Sequence, residues 1–137
     1  MDLSKNMQSN FIENDFCKQW LDDEMLYCIF RPYLEIDINV VKKCVTDRKI
    51  LTAGISYKMF ADVKNLRYFT SEAKEYFASS EGSAGLEAIA FLVNTQIEKF
   101  IIRLFIEVNR PPIPCKIFSG KEEALEWLSF NRAKNKQ

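Results

Sequence analysis

Short apolar runs with strand character alternate with segments of helical periodicity along most of this chain. Residues 57–63 and 86–93 are compact apolar runs, and Ile89, Phe91 and Val93 recur with period two. A segment with helical spacing follows each run. Because helices that connect strands make right-handed crossovers, this alternation predicts a mostly parallel sheet with helices packed on it.

The first two strand-like runs, residues 16–21 and 25–30, have no helix between them. Asp22 and Asp23 separate the two runs and predict a tight hairpin turn. The predicted fold is therefore α/β, a mixed and mostly parallel sheet with an N-terminal hairpin, in the order β-β-α-β-α-β-α-β-α.

The length of 137 residues is typical of one domain with a self-sufficient core. We expect a single domain over residues 15–130. Residues 1–14 are polar and are expected to form a flexible N-terminal segment. Residues 131–137 are expected to form a flexible basic tail.

Charge and hydropathy exclude several classes of function. The 19 basic and 19 acidic residues balance, whereas nucleic-acid binders normally carry a basic excess. The most apolar stretch, residues 97–108, contains four charged residues and predicts no membrane span. Residues 1–14 show no secretory signal. We therefore expect a cytoplasmic protein without a nucleic-acid partner.

The sequence has four cysteines and no histidine, which excludes Ser-His and Cys-His catalysis. The cysteine spacing matches no metal site, so we expect no catalytic residue, metal or cofactor. Cys17 and Cys28 would face each other across the hairpin if Asp22 and Asp23 formed its turn. A redox pair fits that register, but buried structural thiols are the interpretation we favour.

The third predicted helix begins at a Thr95 cap and carries two sets of apolar residues. The longer set is expected to face the core: Ile97, Ile101, Leu104 and Val108, flanked by Phe100 and Phe105. Ile102 and Ile106 then fall on the opposite side. We predict that these two isoleucines are exposed and form a contact patch that mediates weak self-association.

Several segments together resemble the STAS fold of anti-sigma-factor antagonists. Residues 60–71, Phe-Ala-Asp-Val-Lys-Asn-Leu-Arg-Tyr-Phe-Thr-Ser, are similar to that family's strand, loop and helix start, and residues 122–128 resemble its last helix. The stretch from 16 to 128, including Arg-Pro-Pro-Ile-Pro at 110–114, resembles small uncharacterised bacterial proteins described as SpoIIAA-like.

The resemblance implies a non-enzymatic regulatory or scaffold module that acts through protein contacts. In the antagonists, a serine at the start of the second helix is phosphorylated by a partner kinase. The matching positions here are Thr70, Ser71, Glu72 and Ala73, so either Ser71 keeps the acceptor or Glu72 replaces it with a fixed charge. We expect Thr70, Ser71 and Glu72 to form an exposed partner-binding site; the partner is unknown, and a homodimer is one of the alternatives.

A second hypothesis is a small-ligand or lipid-binding domain with an aromatic pocket. Its candidate residues are Tyr57, Phe60, Tyr68, Phe69, Tyr76 and Phe77. Asp62 ends a central strand, where ligands bind in open α/β sheets, although it could equally cap the loop that follows.

Overall fold

The computed structural model describes the backbone of residues 7–8 and 10–135 and the side chains of residues 10–130. Its strands are β1 (Met7–Gln8), β2 (Phe11–Glu13), β3 (Cys17–Asp22), β4 (Met25–Phe30), β5 (Glu35–Ile36), β6 (Tyr57–Asp62), β7 (Tyr68–Phe69), β8 (Leu86–Leu92) and β9 (Cys115–Phe118). Its helices are α1 (Ile38–Thr52), α2 (Ser71–Ala78), α3 (Ser80–Ser83), α4 (Gln96–Leu104) and α5 (Lys121–Asn135). A π-helical turn, Phe105–Asn109, extends α4.

Seven strands form one sheet in the order β1-β2-β3-β4-β6-β8-β9. The strands from β1 to β4 pair antiparallel, and those from β4 through β6 and β8 to β9 pair parallel. The short strands β5 and β7 pair with each other in a separate parallel ladder. The predicted α/β fold class, with its N-terminal hairpin and parallel half, is confirmed.

The helices divide unequally between the two faces of the sheet. The main core lies on one face, which we call the three-helix face, where α1, α2 and α4 pack against the strands. On the other face, α5 is the one described helix, and it covers β6, β8 and β9. The core beneath α5 is small: Phe60, Ala88, Ala90, Leu92, Ala124 and Leu128.

The ends of α1 follow directly from its sequence. The Asp37 carboxylate accepts a hydrogen bond from the Val40 N–H at 3.0 Å, which satisfies one of the free amides of the first turn. At the other end Ala53 and Gly54 take φ values of 51° and 83°. Glycine adopts that conformation without a side-chain clash, and the chain turns there into β6.

Two expectations about the N-terminal part are wrong. Strands β1 and β2 fall within residues 1–14, and Ile12 is buried in the main core, so residues 7–8 and 11–13 belong to the sheet. Residues 1–6 and 9 lie outside the described residues. The turn of the β3–β4 hairpin is Asp23-Glu24, because Asp22 pairs with Met25. That one-residue shift places Cys17 opposite Phe30 instead of Cys28.

The C-terminal boundary also differs from the expectation. Helix α5 continues to Asn135, so residues 131–135, which were expected to belong to a flexible tail beyond the domain boundary at 130, are helical. Residues 136–137 of the expected basic tail lie outside the described part of the chain. The helix is held on the sheet through Ala124 and Leu128, which are both fully buried.

Buried polar side chains fix the position of α1. Arg48 is 3% exposed and donates from Nη2 to the carbonyls of Gly82 and Ala84, at 2.8 and 2.9 Å. Asp47 accepts from the Asn14 amide at 2.8 Å, and Asn14 in turn accepts from the backbone just before β3. Burial lowers the Arg48 pKa to about 10, so the guanidinium keeps its charge at neutral pH.

Candidate functional site

Helix α4 presents a different face to the core from the one that its sequence predicts. Ile102 is 1% exposed, and Ile106 is half-buried and packs against the main core. Ile97 and Val108, which were expected inside, are 70% and 71% exposed. The prediction that Ile102 and Ile106 form an exposed contact patch is therefore wrong.

The contacts of Glu98 explain which face of α4 is turned toward the core. Its carboxylate is buried and accepts three backbone N–H groups: from Asn65 at 2.6 Å, from Asn94 at 2.6 Å and from Thr95 at 3.2 Å. Charge-assisted bonds of this kind are strong, and an unpaired buried amide is costly. Turning Glu98 toward the sheet brings Ile102 and Phe105 with it, because they follow at helical spacing.

The same rotation leaves an apolar stripe facing solvent. We call it the outer stripe: Ile97, Phe100, Ile101, Leu104 and Val108. Phe100 is 57% exposed, Leu104 is half-buried, and Ile101 is half-buried and packs in part against the main core. These residues form a continuous apolar row in the sequence, and that continuity is the reason they were expected to face the core.

The outer stripe lies toward the end of the sheet. Helix α4 contacts β9, the last strand, and its π-helical turn contacts α2 on the other side. With Glu98 and Ile102 directed at the core, the helical step of about 100° per residue places Ile97 and Val108 to one side of that direction and Ile106 to the other. No described helix packs beyond β9, and Ile97, Phe100 and Val108 are the exposed members of the stripe.

At the start of α2, Ser71 and Glu72 are exposed as expected, whereas Thr70 is half-buried, and a partner-binding role for the three residues stays a prediction. The Thr70 hydroxyl accepts from the Ala73 N–H at 3.1 Å and caps the helix, and the Thr70 N–H donates to Ile36 at 3.0 Å. Ser71 and Glu72 are exposed in the first turn. Thr70 is thus occupied as a cap, whereas the side chains of Ser71 and Glu72 are accessible to a partner.

Asp62 lies at the carboxyl end of β6 and has a local structural role. Its carboxylate accepts from the Lys64 N–H at 3.1 Å, and its second oxygen is 3.8 Å from the Lys64 ammonium. These contacts correspond to the loop cap that we weighed against ligand binding. A ligand-binding role for Asp62 stays a prediction.

The cysteines form a thiol cluster in the main core. Cys17 on β3 and Cys44 on α1 have their sulfur atoms 3.2 Å apart, and Cys28 packs into the same core. Contact with Cys28 and burial raise the pKa of Cys17, and contact with Cys17 and burial raise the pKa of Cys44. A raised pKa keeps a thiol protonated and unreactive, which agrees with the structural role we favour over redox chemistry.

The predicted aromatic pocket is not assembled from its six candidates. Phe69 and Phe77 line a cavity of about 50 Å³ in the main core, together with Arg48 and Gln19. Phe60 packs on the opposite face of the sheet, and Tyr68 is exposed. Sites for drug-sized ligands have roughly 300–1,000 Å³, so this cavity is too small for a lipid.

Two further findings for the described residues concern metal binding and membrane insertion. No group of three or more acidic or cysteine side chains among them is arranged to hold a metal ion. No helix in the described ranges, 7–8 and 10–135, is long and apolar enough to cross a membrane.

Comparison with solved structures identifies the class of fold. An uncharacterised protein of the DUF3478 family from Shewanella loihica PV-4, described as having a SpoIIAA-like fold, superposes with a TM-score of 0.59. The match covers 85% of this chain and 97% of the other chain at 14% identity. At that identity the likeness shows the fold alone, and it is the SpoIIAA-like fold that the sequence resembles.

Comparison of the sequence with models of protein families identifies the family of this chain. Residues 19–131 match the family described as Domain of unknown function (DUF7793), and the chain belongs to that family. The matching model is not one of the anti-sigma-factor antagonists, so the likeness to them holds at the level of the fold. No curated protein matches the chain.

Proposed function

We propose that this chain is a non-enzymatic regulatory or scaffold module that acts through protein contacts. The observation that carries the proposal is the outer stripe. Three of its large apolar side chains, Ile97, Phe100 and Val108, are more than half exposed along one side of a single helix. Apolar side chains scattered singly over a surface need no explanation, but a continuous row marks an interaction site.

The start of α2 supports the same proposal as a second contact element. Both α2 and α4 follow parallel strands, so both begin at the carboxyl edge of the sheet. Ser71 and Glu72 are exposed there at a helix N-terminus, where the free amides and the helix dipole favour an anionic group.

Photocrosslinking in cells tests the proposal. A photoreactive phenylalanine analogue replaces Phe100, and the control chain carries the same analogue at Phe130. Phe130 is 65% exposed but lies on α5, on the opposite face of the sheet. We expect a discrete crosslinked protein from position 100 and none from position 130.

Two outcomes would count against the proposal. Equal crosslinking from both positions would show non-specific contact, and no adduct from position 100 would show that the stripe meets no protein. The mass of the adduct identifies the kind of partner, because an adduct of twice the chain mass is a homodimer and any other mass is a different protein.

A further inference from the structure

We infer that the partner on the outer stripe is a second copy of this chain, bound through antiparallel packing of α4 against α4 about a two-fold axis. This inference rests on the proposed function and names its partner. The α4 face involved is the reverse of the one that the sequence pattern predicts for self-association.

The spacing of the stripe is the first argument. The inner residues of the stripe, Ile97, Ile101, Leu104 and Val108, follow one another at intervals of four, three and four positions. That series is the same in both directions. A copy rotated by a two-fold axis runs antiparallel and presents the same series, so Ile97 meets Val108 of the partner subunit and Ile101 meets Leu104 of the partner subunit. An isologous interface requires this kind of self-complementary patch.

The position of the stripe is the second argument. It lies on the outermost helix of the three-helix face, beside the last strand of the sheet. A second copy can therefore approach from beyond β9 without meeting α1 or α2. The chain also carries 19 basic and 19 acidic residues, so two copies meet without net repulsion.

Strand β9 itself is poorly suited to pairing with its copy. It has only four residues, it follows Pro112 and Pro114, and it carries Lys116 on an exposed position. Short length, proline and an edge lysine are the features by which proteins protect a sheet edge. The helices therefore make the contact, and the dimer does not depend on a continuous sheet.

The area of the stripe sets the expected strength. Its exposed side chains amount to a few hundred Å², whereas a stable interface buries about 800 Å² on each partner. The stripe alone falls short of that value, and the rest must come from the flanking Arg103, Glu107 and the loop before β9. We therefore expect a reversible dimer whose population rises with concentration.

Sedimentation equilibrium of purified protein tests the inference. We expect concentration-dependent dimerisation, and we expect the double variant Ile97→Lys/Val108→Lys to raise the dissociation constant by roughly a hundredfold. Both residues are about 70% exposed, so the fold should persist, which a urea unfolding curve checks. The matched control is Ile50→Lys/Ile55→Lys, which changes two isoleucines that are 53% and 58% exposed away from α4. The control should dimerise like the unchanged protein.

Disulfide trapping tests the antiparallel geometry. Mixing an Ile97→Cys chain with a Val108→Cys chain should give a rapid 97–108 crosslink, while the Ile97→Cys chain alone should crosslink slowly. Fast 97–97 crosslinking would overturn the antiparallel arrangement. A chain that stays monomeric at all concentrations would overturn the inference itself. If position 100 then still crosslinks to another protein in cells, the proposed function survives and only the identity of its partner changes.

Discussion

The two faces of the sheet are built in different ways, and the difference shows where this fold is rigidly specified. On the three-helix face, buried polar groups tie the helices to particular backbone atoms: Arg48 to the α3 segment, Asp47 to Asn14, and Glu98 to two loops. On the α5 face, the helix rests on apolar contacts, with Ala88, Ala90 and Ala124 allowing a close approach. Directional bonds fix a rotation, whereas an apolar contact mainly excludes water.

The α5 face also leaves part of the sheet without a helix. Beyond α5, the antiparallel strands carry a cross-strand row of aromatic residues, in which Phe11 pairs with Trp20 and Trp20 with Tyr27, and Tyr27 pairs with Phe60 in the core beneath α5. The Trp20 and Tyr27 rings stack at 5.1 Å with planes 5° apart. This cross-strand stack stabilises the hairpin.

Substitutions that create a cavity in the core of either face should lower the free energy of unfolding the most. The two should differ in how much of the chain then exchanges its amide hydrogens faster. Phe105 is fully buried, and its ring centroid lies 5.3, 5.7 and 6.2 Å from those of Phe69, Phe77 and Phe91. We expect Phe105→Ala to lower the free energy of unfolding by about 3–5 kcal/mol. Because these rings join four elements, the π-helical turn, β7, α2 and β8, hydrogen exchange should accelerate throughout the three-helix face.

Leu128→Ala is the matching change on the other face. We expect a loss near the lower end of about 2–5 kcal/mol, with faster exchange concentrated in α5. Urea unfolding measures the loss of free energy of unfolding for each variant. Hydrogen exchange followed by mass spectrometry shows which segments exchange faster in each. If Leu128→Ala accelerated exchange equally in α1, α2 and α4, the two faces would form one cooperative unit and the contrast between them would fail.

Glu98 tests whether a polar contact fixes α4. Glu98→Gln keeps the size of the side chain but turns one acceptor into a donor that faces a backbone N–H. We expect a loss of about 1.5–3 kcal/mol, with faster exchange at the amides of Asn65, Asn94 and Thr95. The control Glu107→Gln changes an exposed carboxylate in the turn that extends α4 and should cost little. Unchanged exchange at those three amides would contradict the role assigned to Glu98.

The sequence predicts the order of elements well because each element has a local signal. Helix α1 has its Asp37 cap, β8 has its period-two pattern, and the hairpin has its acidic turn. Element boundaries follow from such neighbouring residues. The SpoIIAA-like architecture then follows from the alternation and from the handedness of the crossovers.

The orientation of α4 could not be predicted in the same way. The helix carries two apolar faces, and the more continuous one was assigned to the core. The choice depends on Glu98, whose amide partner Asn65 lies 33 positions away, in a loop that only the folded chain brings close. The only signal in the sequence is the spacing of Thr95 and Glu98, a capping box that the structure forms. Such a box predicts where a helix starts and leaves open which side is buried.

The pH dependence that the thiols give to the free energy of unfolding is the smallest expected effect. It bears on the contrast between the two faces, because all four cysteines belong to the three-helix face. The pKa values of Cys17 and Cys44 are raised, and burial raises the pKa of Cys115 to about 12. These thiols stay protonated in the native state, while the unfolded chain loses its thiol protons near pH 9. The stability that they contribute is therefore complete below that pH and declines as the pH rises.

Between about pH 8 and about pH 9.5, the free energy of unfolding should fall by roughly 0.8 kcal/mol for each such thiol. Urea unfolding under a reductant, at several pH values in this range, measures the slope. The double variant Cys17→Ala/Cys44→Ala starts less stable but should lose the part of the slope that these two thiols contribute, while the contribution of Cys115 remains. A slope unchanged by that variant would mean that the alkaline loss arises from groups other than the core thiols.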